Sequence, residues 1–288
     1  MSTLTPHVAL VPDSPSISLA DVSSVAAAIQ KQVTRDFGPL WQISATVDAF
    51  EKLEAVPIDY WPVIVRDDIK EPGAAGYHTD DHGQPFSLVQ ADPGWELTAS
   101  HEVLEMLADP FGNRTIAGSP PPKSPAPVSQ FSRVLYLVEV CDPCEGLQFA
   151  YEVNGTTLSD FITPHYYDPN GATGVQYSFR GNVKASHTVL EEGYVSFGNP
   201  VDNHWYQIVV QNGKQAIRDL GIIQTTQGKS LRELVDRAVR EHRKQEHYRT
   251  KAPLAAKAAK AAAGHAPPFA ESSTGRAKLL RDYMKELK

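Results

Sequence analysis

The sequence predicts an α+β fold, with strands and helices mixed over residues 1–112, a β-rich subdomain over 131–225 and a helical tail over 226–288. Three observations predict it. Up to Gly112 the apolar residues recur first at strand spacing and then at helix spacing. From Phe131 onward one short strand pattern follows another, with turn residues between them. Beyond Ser230 the chain becomes charged, then rich in Ala and Lys. At 288 residues and 41% apolar, it is long enough for one large domain or two subdomains with a real core.

The elements follow in order. HVALVP reads as a strand. SLADVSSVAAAIQKQVTRDF reads as an amphipathic helix, because Leu19, Val22, Val25, Ala26, Ile29 and Val33 share one face. Ser18 or Asp21 supplies its N-cap. WQISATVDAF and YWPVIVRDDI read as strands, and a Gly/Pro-rich turn at Glu71–Gly76 follows. GYHTDDHGQPFSLVQ has a turn-like centre and a strand in its second part. WELTASHEVLEMLADP is the next helix, stopped by Asp109-Pro110 and Gly112. Residues 113–130, with SPPPKSPAP, read as an extended loop. RVLYLVEVC is then a strand, and FAYEVNGTTLSDF a hairpin turning at Asn154-Gly155. GVQYSFRGNV, GYVSFGN and HWYQIVVQNG are further strands. The tail holds a charged helix, LRELVDRAVREHRKQEHY, the stretch APLAAKAAKAAAGHAPP and a short final helix, TGRAKLLRDYMKELK.

Composition narrows the function classes. A formal net charge of −7 argues against a nucleic-acid-binding body. No run of about 18 apolar residues implies a membrane span. The N-terminus MSTLTPHVALVPDSPS has neither the basic nor the apolar region of a signal peptide, so a cytoplasmic protein is expected, with specialised export left open. The two cysteines, Cys141 and Cys144, form a lone CxxC. That is half of a structural zinc site at most, and a turn with incidental thiols is the plainer reading. Phosphate-binding glycine motifs and a GxSxG elbow are missing. The tail is more basic than the body, which suits either a solvated helix or a docking segment for a protein partner.

The chemistry concentrates in TASHEVLEML. On a helix, residues i and i+4 project side by side, so His101 and Glu105 share a face, and Glu102 is turned about 100° from His101. Val103, Leu104, Met106 and Leu107 surround these polar letters with apolar side chains. A mostly apolar helix is buried, and buried His and Glu need partners, of which a metal ion is one. The competing reading is a solvent-facing polar stripe over a core-facing Val103, Leu104 and Leu107.

This helix resembles the HExxH helix of the zincin-like metallopeptidases, over roughly residues 7–110. The resemblance implies a twisted mixed sheet, with GYHTDDHGQPFSLVQ at the edge that binds extended peptide. It also implies one zinc ion held at His101 and Glu105, and Glu102 as general base toward water. The departure is Glu105, where the family has His. A carboxylate ligates zinc, but a second anionic ligand lowers its Lewis acidity and can favour a harder metal.

A third ligand is needed. Asp109, at i+8, lies two turns and roughly 12 Å along the axis from His101, which suits a turn residue or an outer hydrogen-bond acceptor better. Glu139 sits in a strand apolar on both faces, with Leu135 and Leu137 on its own face, and is costly there without a partner. It reads as the third ligand or as a salt-bridge partner. Asp142 is the second candidate, although Asp-Pro also starts turns. His78, near the edge strand, could stabilise an oxyanion or orient substrate. His82 reads as a turn residue; His204, Tyr166 and Tyr167 are remoter donors. Two functions follow: a zinc-dependent peptidase, or a non-catalytic zincin-like component of an assembly docked by its basic tail.

Overall fold

A computed structural model describes residues 5–71, 73–225, 228–250 and 273–286; the stretch APLAAKAAKAAAGHAPP lies outside the described residues. The fold is α+β: a mixed five-stranded sheet with a helix packed on it, a five-stranded antiparallel sheet, and C-terminal helices.

The first sheet is built from β1 (His7–Asp13), β2 (Thr46–Ala49), β3 (Tyr60–Arg66), β4 (Gly76–Asp81) and β5 (Gln84–Gln90). Its order is β2-β1-β3-β5-β4, parallel except for β4, which runs antiparallel to β5 and forms an edge. The segment GYHTDDHGQPFSLVQ is thus a hairpin, with His82 and Gly83 at positive φ in its turn. Its first half is a strand as well as its second, because Tyr77 and His78 pair with Leu88 and Ser87 despite the polar sequence.

α1 (Leu19–Lys31) is capped as its sequence suggests: Ser18 accepts from the Asp21 amide, and Asp21 accepts from the Ser18 amide. The chain then widens to a π-helical turn over Gln32–Phe37 and ends in α2 (Gly38–Trp41). Trp41, expected to begin a strand, is therefore helical, and its indole donates to the Ile162 carbonyl at 2.9 Å. Gln42, at φ 57°, ends the helix and delays the strand to Thr46.

α3 (Trp95–Ala108) carries the HExxE letters and ends where expected. The Asp109 carboxylate accepts from the Asn113 and Arg114 amides, closing the chain reversal after the helix.

The second sheet has the order β12-β11-β10-β7-β6, all antiparallel, from β6 (Thr115–Gly118), β7 (Val134–Leu137), β10 (Tyr194–Gly198), β11 (His204–Gln211) and β12 (Lys214–Ile222). A separate hairpin of β8 (Tyr151–Val153) and β9 (Thr156–Leu158) turns at Asn154-Gly155, both at positive φ. Three details depart from the sequence reading. β6 lies inside the expected Pro-rich loop and pairs with β7. β12 is mostly exposed and polar, so no alternation marked it; the Asn212-Gly213 turn folds it onto β11. Residues 174–183 form no strand, only one bridge between Ser178 and Ile162. There Ser178 Oγ accepts from the Asn182 and Val183 amides, and Asp160 from the Arg180 amide. Side chains thus take the backbone donors that a strand would use.

Strand alternation sorts the first sheet's two faces. Val8, Leu10, Val63, Val65 and Val89 point toward α1 and α3, in a core that continues into Tyr136, Phe197 and Ile208 of the second sheet. Ala9, Val11, Ile64, Phe86 and Leu88 point the other way and are covered by Ala277, Leu280 and Met284 of α5 (Ser273–Glu286). The terminal helix thus spends its apolar face on its own sheet. Arg276 donates to the carbonyls of Val56, Pro57 and Tyr60, and Arg281 pairs with Glu54 and Asp13. α4 (Leu231–Thr250) packs Leu234, Val235 and Val239 against Leu137 and Trp205 of the second sheet. No described helix is long and apolar enough to cross a membrane.

Candidate metal centre

α3 places His101 and Glu105 one turn apart, and the segment after β7 meets them there. His101 Nε2 lies 3.2 Å from Glu105 Oε1 and 3.1 Å from Asp142 Oδ1. Asp142 opens a 3-10 turn, Asp142–Cys144, whose preceding residue helps to hold the site: the Cys141 amide donates to Glu105 Oε1 at 3.1 Å. Cys141 and Cys144 are both buried free thiols, and burial raises both pKa values.

The other carboxylate oxygen of Glu105 faces a second group. His78, on the edge strand β4, has Nδ1 at 3.4 Å from Glu102 Oε2 and 3.9 Å from Glu105 Oε2. Its Nε2 donates to the Asp109 carbonyl at 3.1 Å. Asp109 therefore serves the site through its backbone, while its carboxylate caps the following turn. Glu139 lies on this side as well. The chain leaves β7 at Leu137, yet Leu137 and Glu139 still share a direction: Leu137 packs on α4 and Glu139 pairs with Arg232 of the same helix at 3.3 Å.

Two sets of three ligand atoms, each mutually within 4.8 Å, could thus hold a metal ion: the wholly buried His78, Glu105 and Glu139, and His101, Glu105 and Asp142. Glu105 belongs to both. The structure brings together every residue singled out on α3, β4 and the segment after β7, but it sets Asp142 beside His101 and Glu139 beside His78. His82 pairs with Asp81 in the hairpin turn, and His204 with Asp219 on β12. Tyr166 and Tyr167 pack against Tyr136 in the core.

Burial sets the electrostatics. It pushes the Asp142 carboxyl up to about 7, helped by the Glu105 charge and opposed by the His101 hydrogen bond. Burial alone would depress His101, but Glu105 and Asp142 outweigh it and hold the imidazole well above its ordinary value. Glu105 is itself buried, yet His101 and then Arg232 keep it well below the usual carboxylate range. Glu139 is raised by burial, against the pull of Arg232.

Arg232 and Glu145 were not singled out by sequence. Arg232 is the second residue of α4 and is 7% exposed. Its guanidinium hydrogen-bonds His78 Nδ1 and, at 3.2 Å, the His78 carbonyl. It lies 3.6 Å from Glu105, 3.9 Å from Glu102 and 3.8 Å from Asp236. The signal for it was position: Arg232 shares a helical stripe with the buried Val235 and Val239. Glu145 is pushed up to about 8 by burial and by Asp142. A cleft of about 600 Å³ opens over the centre, lined by Tyr77 and His78 of β4, His101 and Glu102 of α3, Glu145 and Arg232. At its floor Gly76 is tight against α3: a Cβ there would sit 2.7 Å from Thr98 Cγ2 and 3.0 Å from Glu102 Cγ.

Four carboxylate oxygens at the centre are buried without a hydrogen-bond partner: Glu102 Oε2, Glu105 Oε2 and both of Glu139. Carboxylate oxygens crowded together without hydrogen bonds are donors that a divalent cation accepts. Comparison with family models, with curated proteins and with solved structures finds no match for this chain.

Proposed function

We propose that this protein is a metal-dependent hydrolase, a zincin-like peptidase acting on extended peptide, with one zinc ion at His101, Glu105 and Asp142. The observation that carries the reading is the meeting of these three ligand groups just behind a cleft that His101 lines, with Glu102, the residue after His101, lining the same cleft. One imidazole and two carboxylates are ligands that zinc accepts. This group is favoured over the one at His78 because Arg232 already supplies a positive charge there.

The ion, when bound, would supply Lewis acidity toward the scissile carbonyl and toward water. The chain's own residues do the rest. Glu102 is one residue along the helix from His101 and lines the cleft, so it is placed to accept the proton of an attacking water. β4 is a sheet edge on the cleft, so its outward backbone groups, apart from the His78 carbonyl that Arg232 holds, can pair with an extended chain. Arg232 presents a donor on the same wall, where negative charge would develop on the substrate oxygen, while His78 gives its N–H to the Asp109 carbonyl.

Elemental mass spectrometry on wild type and His101→Ala tests the centre, and peptide turnover by Glu102→Gln tests the chemistry. Zinc retained with turnover lowered by about 10²–10⁴-fold is expected of Glu102→Gln. Wild-type protein that takes up no metal, or a Glu102→Gln variant as active as wild type, would sink the reading. A non-catalytic binding or structural role is the second reading. The guanidinium lodged among Glu102, Glu105 and Glu139 favours it, since it offsets acidic charge without any ion.

A further inference from the structure

Arg232 does at the second donor group what a cation would do there. It contacts His78 Nδ1 and approaches Glu105 and Glu139, which are the three members of that group. A guanidinium only donates, so His78 meets it with an acceptor nitrogen. The ring's other nitrogen is committed to the Asp109 carbonyl at 3.1 Å. His78 thus presents a lone pair to the cluster, in the tautomer a metal ligand needs, held by the backbone behind it.

One guanidinium does not satisfy this cluster. It faces Glu102, Glu105 and Glu139, yet four of their oxygens stay buried without a hydrogen bond, three of them held only in ion pairs with the guanidinium. Both Glu139 oxygens are among them, on a side chain 7% exposed. Distances of 3.3 to 3.9 Å to the three carboxylates are ion-pair distances rather than hydrogen bonds. A divalent cation accepts carboxylate oxygens from several directions at once, which a planar fork cannot do.

We propose that Arg232 is a built-in competitor for a divalent cation at His78, Glu105 and Glu139. While it is in place the centre holds one ion; when it is removed a second ion enters, sharing Glu105 with the first. The proposal rests on the metal-centre reading for the first ion only. Its place in the chain makes it a control point. Arg232 is carried by the first turn of α4, whose Leu231 and Arg232 amides donate to Asn113 Oδ1 and the Gly112 carbonyl just after α3.

The test is zinc stoichiometry in the full chain, by elemental mass spectrometry after equilibration with zinc and gel filtration. Wild type, Arg232→Met, Arg232→Lys and the double variant Arg232→Met with Glu139→Gln are compared. The expected result is about one ion in wild type and Arg232→Lys, about two in Arg232→Met, and about one again in the double variant. Arg232→Met leaves buried carboxylates unpaired and can unfold without metal. Thermal melts with zinc and with chelator therefore accompany the count, and zinc should raise its Tm more than that of wild type. An Arg232→Met protein with wild-type stoichiometry and a wild-type zinc shift overturns the proposal. So does a wild type that already holds two ions. The failures separate cleanly. If wild type binds no zinc but Arg232→Met binds one ion that Glu139→Gln removes, this site stands and the hydrolase reading falls. If His101→Ala removes the single wild-type ion and Arg232→Met gains none, the reverse holds.

Discussion

Metal binding at His101, Glu105 and Asp142 should compete with protons, and the structure sets the size of that competition. Glu105 is held ionised by its neighbours, so it has no proton to lose. Asp142 titrates near 7, raised by burial and by Glu105. His101 holds its proton well above the ordinary imidazole range, burial being outweighed by Glu105 and Asp142. A ligand must give up its proton before it binds metal, so affinity rises with pH through both values. Between pH 6 and 8 the ionised share of an acid with pKa near 7 goes from about a tenth to about nine tenths, a gain of about tenfold. His101 adds up to about tenfold per pH unit below its own pKa. Zinc affinity should therefore increase by about 10- to 1000-fold across those two units, with one to two protons released per ion. Calorimetric zinc titrations in buffers of different ionisation enthalpy measure both quantities. Asp142→Asn should weaken binding and remove its share of the pH slope. A pH-independent affinity between 6 and 8, with no proton release, would refute the assignment of His101 and Asp142 as ligands.

Two structural predictions stand beside the turnover and stoichiometry tests. Gly76→Ala forces a methyl group to within 3.0 Å of Glu102 Cγ and closer still to Thr98, so these side chains must shift or β4 and α3 separate. A cost of about 1–3 kcal/mol and a loss of turnover larger than the loss of metal are expected, read by denaturant melts and kinetics; unchanged turnover would remove β4 from the site. Leu280→Ala opens a cavity where α5 covers the first sheet, at a side chain 1% exposed. A loss of about 2–5 kcal/mol in urea unfolding is expected, with metal stoichiometry unchanged; a loss near zero would mean that α5 does not stabilise this face.

The fold class was readable from periodicity because most elements obey it. Val8, Leu10, Val63 and Val65 on one face of the first sheet, and Ala9, Val11 and Ile64 on the other, are ordinary strand alternation. The missed elements are those where alternation is not what holds the strand. β12 is exposed and polar and is held by its hairpin turn. β4 carries Asp80 and Asp81 and is held by pairing with β5. Residues 174–183 show the opposite error: they alternate, but Ser178 and Asp160 take the backbone donors.

The site divides in the same way. His101, Glu102 and Glu105 were readable because helix geometry alone fixes their relation. Which acid meets His101 depends on how the chain runs after β7, where the Val138 amide still bonds the Arg114 carbonyl in register with β6 but Glu139 donates back to Leu137 and ends the ladder. That departure puts Asp142, and not Glu139, beside His101. Arg232 is separated from His78 by 154 residues, and a charged helix reads locally as a solvated one. What distinguishes it is a cost: an arginine on the buried stripe of α4 must find anions inside, and an interior with three carboxylates around one imidazole must find a cation. The two demands meet in one place. Arg232 answers the cluster's charge but leaves four of its oxygens without a hydrogen bond, so occupancy of this centre by a second cation depends on where the first turn of α4 sits.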